Sequence, residues 1–405
     1  MPVGFHRIIL AQFLSALADN ALLIVAIALL HSQGEPAWWV PMLKLAFNLF
    51  FVVLAPFTGV LADAWPKGRI MGWMNGIKLL AVLGMLLQVH PVLAYAVAGL
   101  GAAAYAPAKY GLITELVPAP QLVAANAWIE LSVVGAALLG VTLGGALISP
   151  LMTTWMAPWP VLEVALLLVA AIYLAAAWVQ FKVPDTGWRH APPTVRPQQL
   201  VADFWQAHRQ LWRDAQGGVS LAVTTLFWGI GAVLQLAVLR WAGEVLQWRL
   251  DQAAVMQAVV ALGVLAGAGV AGRWVPLARA RRVLPLGMLL GLLTCGVAQL
   301  TEPWLAVPAL VLLGAVGGLL VVPMNALLQH RGQQLFSAGR SIAVQGFNEN
   351  LSVLLMLAAY AGVLRFEVPM PALMTGMGLL VALAMGWVWR WRAAPPLSRP
   401  PACQP

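Results

Sequence analysis

Gly59-Val60-Leu61-Ala62-Asp63-Ala64-Trp65-Pro66-Lys67-Gly68-Arg69 sits where one apolar run, 37–62, gives way to the next, 69–88. Each run is long enough to cross a bilayer, which takes about 20 apolar residues. A short charged turn between two such runs belongs at a membrane surface. Glycine lets helices approach closely, and a carboxylate can meet a helix N-terminus or a basic partner. Gly59, Asp63, Lys67, Gly68 and Arg69 therefore read as a latch between helices. The alternative is an ordinary basic loop that only sets topology.

Outward from this turn the same pattern repeats. Apolar runs fall near 5–30, 37–62, 69–88, 91–114, 121–148 and 158–181, then near 218–241, 251–273, 282–301, 303–328, 339–364 and 370–391. A polar, Pro-rich stretch separates the two sets. Ala16-Leu17-Ala18 has the residues of a cleavage site, but the apolar run resumes at once, so 5–30 reads as a retained first helix. Of the 405 residues, 61% are hydrophobic and 9% charged, far below the roughly 25% charge of a soluble domain. This excludes a soluble globule, and disorder with it. The expectation is an all-α membrane protein of about 12 transmembrane helices. Its parts are a six-helix half at 1–181, a linker at 182–216, a second half at 217–392 and a tail at 393–405.

The net charge of +9 would point to nucleic acid in a soluble protein. Here the basic residues sort by side. Seventeen, including Arg7, Lys67, Arg69, Lys182, Arg189, Arg273, Arg331, Arg392 and Arg399, fall on the side of the termini and linker; the opposite loops hold two, Arg249 and Arg365. The positive-inside rule then places both termini and the linker in the cytoplasm, with no role for nucleic acid. Trp38, Trp39, Trp155, Trp159, Trp241, Trp304, Trp387, Trp389 and Trp391 lie at span ends and read as interfacial anchors.

Gly59-Val60 recurs as Gly269-Val270, Gly101 with Pro107 as Gly317 with Pro323, and Asn126-Ala127-Trp128-Ile129-Glu130 as Gln345-Gly346-Phe347-Asn348-Glu349, at offsets of 210, 216 and 219. Six spans per half make this a parallel repeat. It resembles the two halves of major facilitator transporters, which hold substrate between them. The opening stretch likewise resembles that family's loop between spans two and three. Its second copy is degenerate, with Arg273 where Asp63 would fall.

Charges inside spans are costly and mark cavities or partners. Counting along the helices places Asp19, Lys78, Glu130 and Glu349 near the midplane, with Asn20, Asn48, Asn75, Asn126, Gln345, Asn348 and Asn350 at similar depth. Each is either a substrate contact or one arm of an interhelical bridge, such as Lys78 with Glu130. Lys109, after Pro107, either meets a phosphate or snorkels to headgroups. The histidines all fall in loops or at span ends. No phosphate loop, metal-ligand cluster, disulfide framework or catalytic constellation stands in the sequence, so neither an enzyme nor a cofactor is expected.

Four longer stretches are more specific: Ala11-Gln12-Phe13-Leu14-Ser15-Ala16-Leu17-Ala18-Asp19-Asn20-Ala21-Leu22-Leu23, Gly101-Ala102-Ala103-Ala104-Tyr105-Ala106-Pro107-Ala108-Lys109-Tyr110-Gly111, Pro323-Met324-Asn325-Ala326-Leu327-Leu328-Gln329-His330-Arg331-Gly332 and Ile342-Ala343-Val344-Gln345-Gly346-Phe347-Asn348-Glu349-Asn350. They closely resemble the bacterial lysophospholipid transporter family. The resemblance implies movement of lysophospholipids, such as 2-acyl-glycerophosphoethanolamine, across the bacterial inner membrane to the cytoplasmic leaflet. A separate acyltransferase would re-acylate them there. It also implies substrate contacts at Asp19, Asn20 and Glu349; Lys78, Lys109, Glu130 and Asn350 join them from depth and chemistry. The family's span-seven arginine is replaced here by Gln235, and Arg240 lies on another face. The alternative reading with the same fold is a proton-coupled exporter of amphipathic drugs.

Overall fold

A computed structural model describes residues 3–36, 39–155, 158–187, 196–248, 250–364, 366 and 368–391. Trp38, Arg189, Arg249, Arg365, Arg392 and Arg399 and the tail from 393 lie outside these residues. The described chain is helical: α1 (Val3–Ser32), α2 (Trp39–Val53), α3 (Ala55–Ala64), α4 (Lys67–Leu86), α5 (Pro91–Leu116), α6 (Leu122–Leu147), α7 (Pro150–Trp155), α8 (Val161–Phe181), α9 (Pro197–Arg213), α10 (Gly217–Glu244), α11 (Leu250–Trp274), α12 (Pro285–Ala298), α13 (Pro303–Leu335), α14 (Ala338–Leu364) and α15 (Met370–Trp391). Eleven spans are long and apolar enough to cross a membrane, or twelve if α2 and α3 count as one. The end of the bundle that carries α9 is called the linker end below.

The run 37–62 is not one straight helix. It bends by 65° between α2 and α3. Pro56 is the physical cause: it has no N–H to give, and its ring excludes the carbonyl four residues back. Gly59 and Asp63 then fall inside helix α3 rather than in a loop, and only Trp65 and Pro66 separate α3 from α4.

Small residues set the tightest crossings. Gly263 and Gly267 of α11 pack on the backbone at Val311 and Ala315, while Gly314 and Gly318 of α13 pack on Val260 and Val264. Gly140 and Gly144 of α6 do the same against Leu17 and Ala21 of α1. Without a hydrophobic drive between helices in lipid, such close van der Waals packing supplies the association.

The linker contains an element that its polarity hides. Helix α9 is amphipathic, and Phe204, Ala207 and Leu211 bury one face against Ala55, Leu221, Leu328 and Val344. One anchor expectation is corrected: Trp241 is fully buried among Val238, Leu310 and Met374, because it lies on the inner face of α10. Trp155, Trp159, Trp304, Trp387 and Trp389 are exposed.

Candidate functional site

Among the described residues, two sets of hydrogen bonds join α1–α8 to α10–α15, and both lie toward the linker end. Asp63, at the end of α3, accepts from Ser337 Oγ at 2.5 Å and from the Gly339 backbone N–H at 3.0 Å. These are the entry groups of α14, so the carboxylate sits on the positive end of a helix. Gly59 makes the approach possible: a Cβ there would lie 2.9 Å from both the Arg340 Cα and the Gly339 carbonyl oxygen. One turn inside α6, Asn126 and Gln329 exchange amide bonds, 2.9 Å one way and 2.8 Å the other. Together these contacts form a seam that joins the two halves at the linker end.

The remaining residues of the opening stretch do not join this seam. Lys67 is buried and pairs with Glu115 at 2.6 Å, whose other oxygen accepts from Thr186. Gly68 packs on Gln180 and Val183. Arg69 is exposed.

Deeper in, the first half holds a closed polar cluster. Lys78 of α4 pairs with Asp19 of α1 at 2.7 Å and donates to Ser15 Oγ at 3.0 Å. Ser15 in turn donates to Asn75 Oδ1, and Tyr173 of α8 donates to the other Asp19 oxygen at 2.7 Å. The ammonium lies 5.0 Å from the centroid of the Tyr105 ring, and Tyr105 is held by Gln180 at 2.6 Å. The partner of Lys78 is thus Asp19 and not Glu130. The lysine is only 1% exposed, and such a buried pair is costly to break from either side.

Lys109, Glu130 and Glu349 are different. Among the described residues none of them forms an ion pair. Lys109 is buried with its ammonium 4.2 Å from the Tyr110 centroid, so it does not snorkel to the surface. Glu349 accepts from Gln345 Nε2 at 2.7 Å, and Gln345 also donates to Asn325. Lys109 and Glu130 lie about 10–12 Å from the linker ends of their helices, and Lys78 and Glu349 about 16 Å, at the usual rise per residue. Unpaired charge at such depth is held at a cost, which makes these three residues candidates for contact with a substrate. A free ammonium suits a phosphate, and two carboxylates suit a cation.

Asn20 and Asn350 bond back to their own helices, at Ala16 and Gly346. Asn348 faces away from these charges: its Oδ1 meets His208 and Trp212 of α9 at 3.2 and 3.3 Å. Gln235 bonds Gln257, and Arg240 pairs with Glu244 one turn on. Sequence reasoning missed Ser15, Tyr105, Tyr173 and Gln180 as members of this site. It also missed Asp214, which pairs with Arg331 at 2.6 Å and accepts from the Gly217 N–H. Burial alone would raise this carboxyl, but the bonds from Arg331 and from the backbone at Gly217 outweigh it and hold it below the usual range.

A family model for the Major Facilitator Superfamily matches residues 8–356. The Lysophospholipid transporter LplT of Enterobacter sp. (strain 638) is 38% identical over 400 residues, covering 96% of each chain. The chain belongs to the Major Facilitator Superfamily, in its lysophospholipid transporter family. A relative of the same name from Yersinia enterocolitica is 40% identical over 371 residues, 91% of this chain and 89% of its own. Among solved structures, the human organic anion transporter MFSD10 gives a TM-score of 0.74 at 16% identity, covering 95% of this chain and 100% of its own. The transporter FucP in the outward conformation gives 0.74 at 15%, covering 97% and 99%. At these identities the structures show the fold alone. The family's members are multi-pass membrane transporters, and the eleven or twelve spans here are of that kind.

Proposed function

We propose that this chain carries lysophospholipids, such as 2-acyl-glycerophosphoethanolamine, across the bacterial inner membrane to the cytoplasmic leaflet. The observation that carries the reading is identity of 38% over 96% of both chains to a protein named for that transport. Arginine and lysine placement supports the orientation of the chain, with both termini and α9 in the cytoplasm. A separate acyltransferase would take the delivered lipid.

In this reading the halves 1–181 and 217–392 rock against each other about the linker 182–216. With the Asp63 seam made, the cytoplasmic end is shut and the charged midplane faces outward. The head group enters between the halves, with its phosphate on Lys109 and its amine on Glu130 and Glu349. Asp19, Lys78 and Asn20 hold the wall of the first half, and Asn350 adds an amide from the second. The acyl chain stays lateral, toward lipid. Release of Asp63 from the start of α14 then opens the cytoplasmic end.

The test is uptake of labelled 2-acyl-glycerophosphoethanolamine into spheroplasts that carry or lack the chain. Uptake should require it, and should fall at least tenfold in Lys109→Ala and Glu349→Ala. Wild-type uptake in both Asp19→Ala and Glu349→Ala would refute the site. Uptake independent of the chain would refute the function.

A further inference from the structure

The bend between α2 and α3 has an effect on the outside of the bundle. It opens a groove of about 450 Å³ between α3 and the span pair α4 and α5, with Leu200 of α9 at its linker end. Phe57, Leu61, Trp65, Ile77, Leu100 and Ala104 are among its walls. Thr58 is the single hydroxyl in the lining and is turned to the Ala55 carbonyl of its own helix, and the indole N–H of Trp65 stands on a ring about half exposed. The rest of the lining is apolar. Its walls on α3, α4 and α5 belong to apolar spans that face hydrocarbon, and Leu200 of α9 closes its linker end, so an acyl chain is the available filling.

The rim at the linker end adds a charge. Arg69, Trp73 and Ile77 stand at i, i+4 and i+8 on α4, which puts them on one face. Ile77 lines the groove. Trp73 packs edge-on against Trp65, another wall, at 5.5 Å between centroids, and both rings are about half exposed. Arg69 is exposed at the end of this stripe. Among the described residues no carboxylate pairs with it: Asp63 is engaged by Ser337 and Gly339, and Glu115 by Lys67. Eight residues span about 12 Å of helix. That is most of the roughly 15 Å hydrocarbon depth of one leaflet, half of the usual core.

We propose that this groove is a binding site for a resident diacyl phospholipid of the leaflet at the linker end. One acyl chain fills the groove, and the phosphate rests on Arg69. The site goes beyond the transport reading and does not depend on it. It faces outward from the first half, away from Lys109, Glu130 and Glu349. Because the groove exists only while α3 is tilted away from α4, a seated chain holds α3 in the orientation that presents Asp63 to α14.

The full chain would be reconstituted in vesicles of phosphatidylethanolamine and phosphatidylglycerol. These would contain a few per cent of a diacyl phosphatidylglycerol with a diazirine midway along one chain. After irradiation, labelled peptides are mapped by mass spectrometry. Label should concentrate on residues 54–65, 74–77 and 100–104 over the lipid-facing Leu167 and Leu174 of α8, which are 57% and 56% exposed. Leu61→Trp and Ile77→Trp fill the groove from opposite walls at positions that are already partly exposed. Each should cut groove labelling at least threefold while labelling at α8 stays constant, which also reports an intact fold. Arg69→Gln should cut it severalfold for the phospholipid and leave a diazirine fatty alcohol unaffected. Groove labelling no higher than at α8, or unchanged in both tryptophan variants, would overturn the site. Equal labelling by the alcohol would overturn the phosphate contact. Displacement of the probe by a lysophospholipid at equal concentration would overturn the diacyl assignment and make the groove a substrate site.

Discussion

Removing the Asp63 carboxylate should open the linker end by a calculable amount. In Asp63→Ala the seam loses two bonds to a charged acceptor, from Ser337 Oγ and from the Gly339 N–H. Bonds of this kind contribute about 1.5–3 kcal/mol each. Both donors regain water when the seam opens, so the lower end applies, and the pair gives about 3 kcal/mol. At 1.36 kcal/mol per tenfold, that is a roughly 150-fold rise in the open-to-shut ratio. Asp63→Asn keeps one acceptor and should give roughly tenfold, on half that energy. The readout is alkylation of Ala343→Cys, in a background with Cys295→Ser and Cys403→Ser. Ala343 is 4% exposed and lies where a Gly59 Cβ would meet it. When opening is fast relative to reaction, the alkylation rate follows the open population. A rate within threefold of the parent in Asp63→Ala would show that the carboxylate does not hold the seam, and would refute the reasoning.

Three further outcomes follow from the same geometry. Gly59→Val should raise Ala343→Cys alkylation with Asp63 intact, because its side chain cannot share space with the Gly339 and Arg340 backbone; parental reactivity would count against the tight approach. Lys78→Met leaves Asp19 without its partner and should cost about 3–5 kcal/mol, read as a lowered melting temperature. The double variant Asp19→Asn, Lys78→Met should recover much of that stability without recovering uptake, and singles that melt like the parent would refute the pairing. His208, on α9, is half-buried; burial pushes its imidazole below the usual value, the Asn348 contact opposes this and Arg209 adds to it. A depressed docked value means that the docking energy is present above about pH 6.5 and is lost as pH falls through the docked value. Hydrogen exchange over 197–213, corrected for intrinsic rate, should therefore speed up at pH 5 relative to pH 7.5, and His208→Gln should flatten the difference. Identical profiles for the two proteins would exclude His208 as the cause.

The spans were legible because hydrocarbon imposes a length and a composition that a sequence cannot disguise. The bend at Pro56 was not read, although proline is its cause: an apolar run reports burial in lipid, not straightness. Helix α9 was hidden for the opposite reason. Its buried residues, Phe204, Ala207 and Leu211, form a narrow stripe on an otherwise polar segment, and an apolar-run reading passes over it. Among the midplane charges, depth could be counted along each helix, but which neighbours met could not. Whether Lys78 reaches Asp19 or Glu130 depends on how α1, α4 and α6 are rotated about their axes, and that is set by packing such as Gly140 on Leu17. Tyr105 and Tyr173 were invisible because an aromatic hydroxyl in an apolar run reads as core until its partner is known.

The amide exchange between Asn126 and Gln329 also bears on the electrical behaviour of the seam. Each side chain gives one bond and takes one, and neither carries charge. Moving a full charge through the membrane potential is worth about 2.3 kcal/mol per 100 mV. Parting two neutral amides moves none, so the membrane voltage does no work on that contact in either direction. Asp63 is the charged member of the seam and stands at the end of α3, at the edge of the field rather than within it. The amide pair of the seam therefore contributes no voltage dependence of its own, and any that the seam shows must come from its charged member, Asp63, or from the charges at the midplane.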